Sequence, residues 1–246
     1  MLGTQKEESL DAILASHADD LKVVAKKLLQ RLVKRRSGSS LEVEVRLCRF
    51  TACNDTSPKG NSVENDGLRF VEAKVKPGVS PDHYERLKAY CLSKAINENI
   101  THSTTRDVVA HGWRYTYTAE TDNEPTRCIS RLKKNRVFVS DILVPFAPYN
   151  IRFSVSTETS GSLPDSGTAP EVGYTRLKER TSVVDGLFRY DMTRVVESDG
   201  ATSYEVEIEG VFREPETQIT ESWVMELLRK ALTLSVLLNN SSEGNS

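Results

Sequence analysis

The sequence predicts an α+β protein centred on an eight-stranded antiparallel β-barrel with a polar lumen, supported by outer helices. Three observations carry this. Several segments alternate strictly between polar and apolar residues, as a two-faced β-strand does. The polar faces of some of these segments are ionic and of a single sign. The apolar faces opposite them have three amphipathic helices available to cover them.

The clearest segment is Tyr204-Glu205-Val206-Glu207-Ile208-Glu209-Gly210. Its glutamates share one face, and neighbouring carboxylates on a strand stand roughly 6.5–7 Å apart. On an uncompensated buried face they would repel and protonate. They require either open water or a bound cation. Leu41-Glu42-Val43-Glu44-Val45-Arg46 repeats the design far upstream.

Taken in order, the chain opens with a predicted helix from Ser9 to Arg36. Leu10, Ile13, Leu14, Leu21, Val24, Leu28 and Leu32 form its apolar stripe, and Lys22, Lys26, Lys27, Arg31 and Lys34 to Arg36 crowd its later turns. Residues 52–67 read as a polar loop and Leu68–Val75 as a strand. Ser80-Pro81 marks a second helix start, with serine as cap and proline at the first helical position. From Thr104 onward alternating strands follow one another. They place Arg114, Thr116, Thr118 and Glu120 on one face, then Arg152, Ser154, Ser156 and Glu158, then Arg176, Lys178 and Arg180, then Arg189, Asp191 and Thr193. A Gly/Ser/Pro-rich loop spans residues 160–170, and Trp223 to Leu238 supplies the apolar face of a closing helix. The expected organisation is an N-terminal helix packing on the barrel over 1–40, a catalytic barrel over 41–238 and a disordered tail over 239–246.

Composition narrows the classes. The chain has 246 residues, 38% hydrophobic and 28% charged, with a net charge of −2. That balance excludes a binder relying on a diffuse basic surface. No apolar run is long enough to cross a bilayer, and the start lacks the form of a signal peptide. The four cysteines form no CxxC pair, which fits reduced thiols in a cytosolic or nuclear protein. Phosphate loops, HExxH and GxSxG motifs are absent.

A lone Glu-x-Glu strand is usually a solvated face. Two such strands with an Arg-x-Lys-x-Arg strand between them point instead to one lumen. A closed sheet of about eight strands leaves an interior wide enough for side chains and a small ligand. Carboxylates supply hard oxygens suited to Mg2+ or Mn2+, and arginine matches phosphate oxygens in pairs. A divalent metal beside a basic wall is what phosphoryl transfer requires.

Leu41 to Arg46, Arg176 to Arg180 and Tyr204 to Glu209 resemble the signature strands of the triphosphate tunnel metalloenzymes. They are most similar to the fungal and protozoal RNA 5′-triphosphatases of mRNA capping. The resemblance covers most of residues 41–212 and implies hydrolysis of the γ-phosphate from 5′-triphosphate-ended RNA, with an NTPase side activity. It implies Glu42, Glu44 and Glu209 as ligands of Mg2+ or Mn2+, supported by Glu207, with Glu205 ordering the cluster. Glu158 would orient the attacking water. Arg114, Arg176, Lys178 and Arg180 would hold the phosphates, and Asp191 and Thr193 would buttress them. The family's lysine strand matches poorly, so Lys133, Lys134 and Arg136 can each fill that role, with Lys134 preferred.

The resemblance also implies a nuclear location, to which Lys34–Arg36 would contribute a basic signal, and an RNA guanylyltransferase partner. The tryptophan-rich segment with which the fungal enzymes dock that partner has no counterpart here. Rival readings are a tunnel-fold inorganic polyphosphatase, thiamine triphosphatase or adenylate cyclase, and a non-catalytic anion-binding barrel. The first group usually carries Glu-x-Glu-x-Lys, where this chain has Arg46 in the last position.

Overall fold

A computed structural model describes residues 9–34, 41–55, 67–119, 126–164, 173–212 and 219–239. Its elements run α1 (Leu10–Ser16), α2 (Ala18–Val33), β1 (Leu41–Asp55), β2 (Arg69–Pro77), α3 (Pro81–Lys94), β3 (Ile100–Ala110), β4 (Trp113–Thr118), β5 (Cys128–Leu143), β6 (Asn150–Ser160), β7 (Tyr174–Asp185), β8 (Phe188–Glu197), β9 (Thr202–Gly210) and α4 (Glu221–Val236). Residues 240–246 of the expected disordered tail, Arg35 and Arg36 of the basic signal, and Glu120 lie outside the described residues; Asn239, the tail's first residue, donates to the carbonyls of Val236 and Phe146.

The strands form one sheet in the order β2-β1-β6-β5-β4-β3-β7-β8-β9, and β1 also pairs with β9. That last pairing closes eight strands into a barrel. Every pairing is antiparallel, and Glu44 lies opposite Glu209 and Arg46 opposite Glu207 at the closure. The ninth strand, β2, is additional to the expected eight. It pairs with the far half of β1 and with the end of β5.

Alternation sorts the two faces as the sequence pattern requires. Val43, Val45, Leu47, Ile151, Phe153, Val155, Val206 and Ile208 point outward into a single core with Leu21, Val24 and Leu28 of α2 and Val224, Leu227 and Leu228 of α4. The hydrophobic core therefore lies outside the barrel, and the polar positions are left to fill the lumen. No helix among the described residues is long and apolar enough to cross a membrane.

Local chemistry explains the boundaries. Ser80 caps α3 by accepting from the His83 amide, with Pro81 at its start. Thr220 caps α4 by accepting from the Trp223 amide. At the β3–β4 turn His111 and Gly112 both take positive φ, 51° and 76°, as a two-residue hairpin demands. The expected first helix is broken in two. His17 (φ −108°, ψ 15°) leaves the helical region and stacks on Phe146 with ring centroids 3.7 Å apart. This break lets Leu10, Ile13 and Leu14 reach the core at an angle that one straight helix would not allow.

Gly78 ties β2 to the glutamate strand. Its φ is +86°, and a Cβ there would meet the Tyr204 carbonyl oxygen at 2.6 Å. Val79 donates to that same oxygen. Gly78→Ala should therefore destabilise the protein by about 1–3 kcal/mol. At about 2–4 °C per kcal/mol for a chain of this size, a thermal melt should show a clear fall in Tm.

Candidate active site

The lumen is built from β1, β6, β5, β4, β3, β7, β8 and β9. β1 contributes Glu42, Glu44 and Arg46, and β9, its hydrogen-bonded neighbour, contributes Glu205, Glu207 and Glu209. Lys134 of β5 reaches between the two acids of β1, with Nζ 2.8 Å from Glu42 and 3.1 Å from Glu44. Ser156 of β6 donates to Glu42 at 3.0 Å. Arg46 bridges the acidic strands, lying 3.0 Å from Glu44 and 3.1 Å from Glu207. Arg189 of β8 binds both Asp191 and Glu209.

The basic row lies on β7, separated from β9 by β8, and Lys178 and Arg180 act on Glu207. Lys178 is 8% exposed and lies 2.6 Å from Asp107 of β3. Arg180 donates to Thr193 at 3.1 Å and to Asp191 at 3.2 Å. Ser182 holds the other Asp191 oxygen at 2.6 Å. Arg114 of β4 donates to Glu158 of β6 at 3.2 Å. The Arg176 Nε is buried and has no hydrogen-bond partner among the described residues.

Charge pairing sets the protonation states. Burial penalises the charged form of Glu42, but Lys134, Ser156 and Arg114 outweigh it and hold the carboxyl below its usual range. Glu207 is also lowered: burial opposes this, and Arg46, Arg180, Lys178 and Lys134 prevail. Burial raises Glu44 and Glu205, and Glu207 adds to the effect in both. Glu209 is pushed up to about 7 by burial, then by Glu42, Asp191 and Glu44, against the opposing pull of Arg189. Burial lowers Lys178, and Arg176 and Arg180 act in the same direction while Asp107 resists.

All the expected lumen residues in described segments share this interior except Lys133. Strand alternation turns Lys133, opposite Thr159 in register, to the outer face, which corrects its candidacy. Lys134 takes the inward position. Arg136 lies opposite Ser156, further along the same face. The expected metal set is dispersed among ion pairs: no three His, Cys, Asp or Glu side chains among the described residues stand close enough to share one ion. Lys134 holds Glu42 and Glu44, and Arg189 holds Glu209.

Sequence reasoning missed Asp107, and it quoted Arg46 and Arg189 without assigning them roles. Asp107 stands alone on a strand face of threonines and serines, with no partner nearby in sequence. Its partner, Lys178, arrives only through the β3–β7 pairing.

A closed antiparallel sheet with acidic and basic rows lining its interior defines the architecture as a triphosphate tunnel. The family model for the mRNA capping enzyme, beta chain, matches residues 69–240. The chain belongs to that family, the tunnel-type RNA 5′-triphosphatases of mRNA capping, which are polynucleotide 5′-phosphatases. β1, with Glu42 and Glu44, lies outside the matched stretch and is joined to it by the β1–β9 pairing.

Among solved structures, the S. pombe Pct1 RNA triphosphatase superposes with TM-score 0.61 at 19% identity, covering 89% of each chain. The same protein in complex with the Spt5 CTD gives 0.58 at 18% identity, covering 87% of this chain and 83% of that one. The Mimivirus capping enzyme triphosphatase gives 0.54 at 14% identity, covering 86% and 96%. A search of curated proteins gives no match.

The Asp107–Lys178 pair supplies a test of how the basic row is held. Removing one partner of a buried ion pair costs about 3–5 kcal/mol, so Asp107→Ala should lower Tm markedly. Burial would raise the Asp107 carboxyl, but Lys178 and Thr116 hold it below its ordinary 3.8. A depressed carboxyl contributes stability above its unfolded pKa and loses it as pH falls through the folded value. Denaturant unfolding at several pH values should therefore show the wild-type advantage over Asp107→Ala shrinking below pH 3.8.

Proposed function

We propose that the protein removes the γ-phosphate from 5′-triphosphate-ended RNA with the help of Mg2+ or Mn2+, as the first step of mRNA capping. The observation that carries this is that acidic rows on β1 and β9 and a basic row on β7 line the interior of one closed sheet. A buried Arg176 donor without an acceptor lies in the basic row. The donor set fits a hard divalent cation. Glu42 and Glu44 already share one cationic atom, Lys134 Nζ, and Glu44 is the register partner of Glu209.

In this reading Glu42, Glu44 and Glu209 would hold the ion, and Glu207 and Glu205 would support them from β9. The ion supplies neutralisation of charge on the phosphate oxygens. Arg114, Arg176, Lys178, Arg180 and Lys134 grip the triphosphate. Asp191 and Thr193 fix Arg180, and Asp107 fixes Lys178. Glu158, held by Arg114, orients a water in line with the bond to the leaving diphosphate. Water attacks the γ-phosphorus, the bridging P–O bond breaks, and the RNA departs with a 5′-diphosphate.

The catalytic unit in this proposal spans 41–238, with the N-terminal helices packed against it. A nuclear location and a guanylyltransferase partner belong to the same reading.

Phosphate release from γ-labelled triphosphate-ended RNA, compared with NTPs and short polyphosphates and with and without Mg2+ or Mn2+, tests the reaction. Loss of one transition-state contact typically costs a factor of about 10²–10³ in turnover, and Arg176→Ala should show a loss of that size. Glu42→Ala and Glu209→Ala should abolish metal-dependent release while circular dichroism shows the fold intact. Retained activity in either would remove the metal assignment.

A further inference from the structure

One edge of β5 is left unpaired between its contacts with β4 and with β2. β5 pairs with β4 over residues 128–132 and with β2 over residues 141–143, and the stretch between has no strand neighbour on that side among the described residues. A cleft of about 540 Å³ lies there, with Arg31, Phe70, Glu72, Arg136, Asp141 and Arg152 on its walls. Arg136 and Arg152 come from lumen-facing positions, opposite Ser156 and Arg46 in register. Arg31 comes from α2 outside the barrel, donating to Ser140 at 2.5 Å and lying over the Phe138 ring at 4.9 Å.

The charges of the cleft are unequal. Asp141 is neutralised by two bonds from Arg152, at 2.7 and 3.0 Å. Arg136 makes no ion pair among the described residues, which leaves Glu72 as the acid opposing Arg136 and Arg31. One helical turn before Arg31, Lys27 stands 6.0 Å over the Phe70 ring, and Lys26 and Lys34 are exposed on the same helix. Cations thus run from Arg136 at a lumen-facing position of β5, across the cleft, to Arg31 and Lys27 on the solvent face of α2.

We propose that this row is the path of the RNA chain itself: the first nucleotides after the 5′-triphosphate leave the lumen past Arg136 and lie along Arg31 and Lys27. The inference rests on the proposed function and adds to it. The lumen grips only the triphosphate, which NTPs and inorganic tripolyphosphate also carry. The cleft and α2 add phosphate contacts available only to a substrate with a chain.

The test uses the full chain, with Lys27→Glu as the principal variant. Arg31→Gln is the second, because Arg31 also holds Ser140. Lys88→Glu on α3 is the control for net charge. Two readouts are taken: phosphate release, with KM and kcat for triphosphate-ended RNA and for tripolyphosphate, and fluorescence anisotropy of labelled single-stranded RNA. Lys27→Glu should raise KM and Kd for RNA by about tenfold and flatten the salt dependence of RNA binding by about 0.7 in log–log slope. It should leave kcat and the KM for tripolyphosphate unchanged, and Lys88→Glu should leave all of these unchanged.

Equal effects of Lys27→Glu and Lys88→Glu on RNA, or an equal rise in KM for RNA and tripolyphosphate, would overturn the path. A wild-type chain that binds RNA in a Lys27-dependent way but releases no phosphate would overturn the hydrolytic reading and leave the path standing.

Discussion

Charge compensation inside a closed sheet is the constraint on which the rest of this structure depends. An ionised side chain withdrawn from water carries a penalty of several kcal/mol unless a partner replaces the lost solvation. Here the partners arrive in pairs from different strands: Lys134 with Glu42 and Glu44, Arg46 with Glu44 and Glu207, Lys178 with Asp107, Arg180 with Asp191. Removing one member leaves its partner buried and charged, so the ion pairs of the lumen are coupled to one another. Glu209, pushed up to about 7, shows what happens where compensation is incomplete.

The apolar residues follow from the same constraint. With the lumen given to charges, the hydrophobic faces of β1, β6, β8 and β9 must be buried from outside; α4 and α3 cover them and α2 packs over α4, in one continuous core. β2 and the Val79 bridge to Tyr204 attach the wall on the opposite flank. The barrel is therefore held rigid by its exterior, which allows the interior to be spent on function rather than stability. A preorganised array of cations and carboxylates is what a transition state with developing charge on phosphate oxygens calls for, because little rearrangement is left to make at the moment of reaction.

Residues 133–140 of β5 pair with β6 on one side, while on the other β4 reaches only to Leu132 and β2 begins only at Asp141. The cleft beside this stretch brings Arg31 of α2 next to Arg136 and Arg152, which hold lumen-facing positions. The position of α2 against α4 thus bears on the site as well as on the core.

Much of this was legible in the sequence because a strand records its two faces in alternate residues. The antiparallel barrel, the outward apolar rows, and the acidic and basic strands all read from that period. So did the cap and proline that start α3. The identity of partners did not. Asp107 and Lys178 meet only through the β3–β7 register, and Arg189 meets Glu209 only through β8–β9. The choice among Lys133, Lys134 and Arg136 needed the phase of β5, which its weak alternation conceals. The break at His17 likewise depended on a stacking contact with Phe146. On the strongly alternating strands the sequence by itself determined which residues face inward and what sign of charge they carry. Only the tertiary structure decided which charges neutralise one another, because pairing across a barrel is set by strand register between segments distant in the chain.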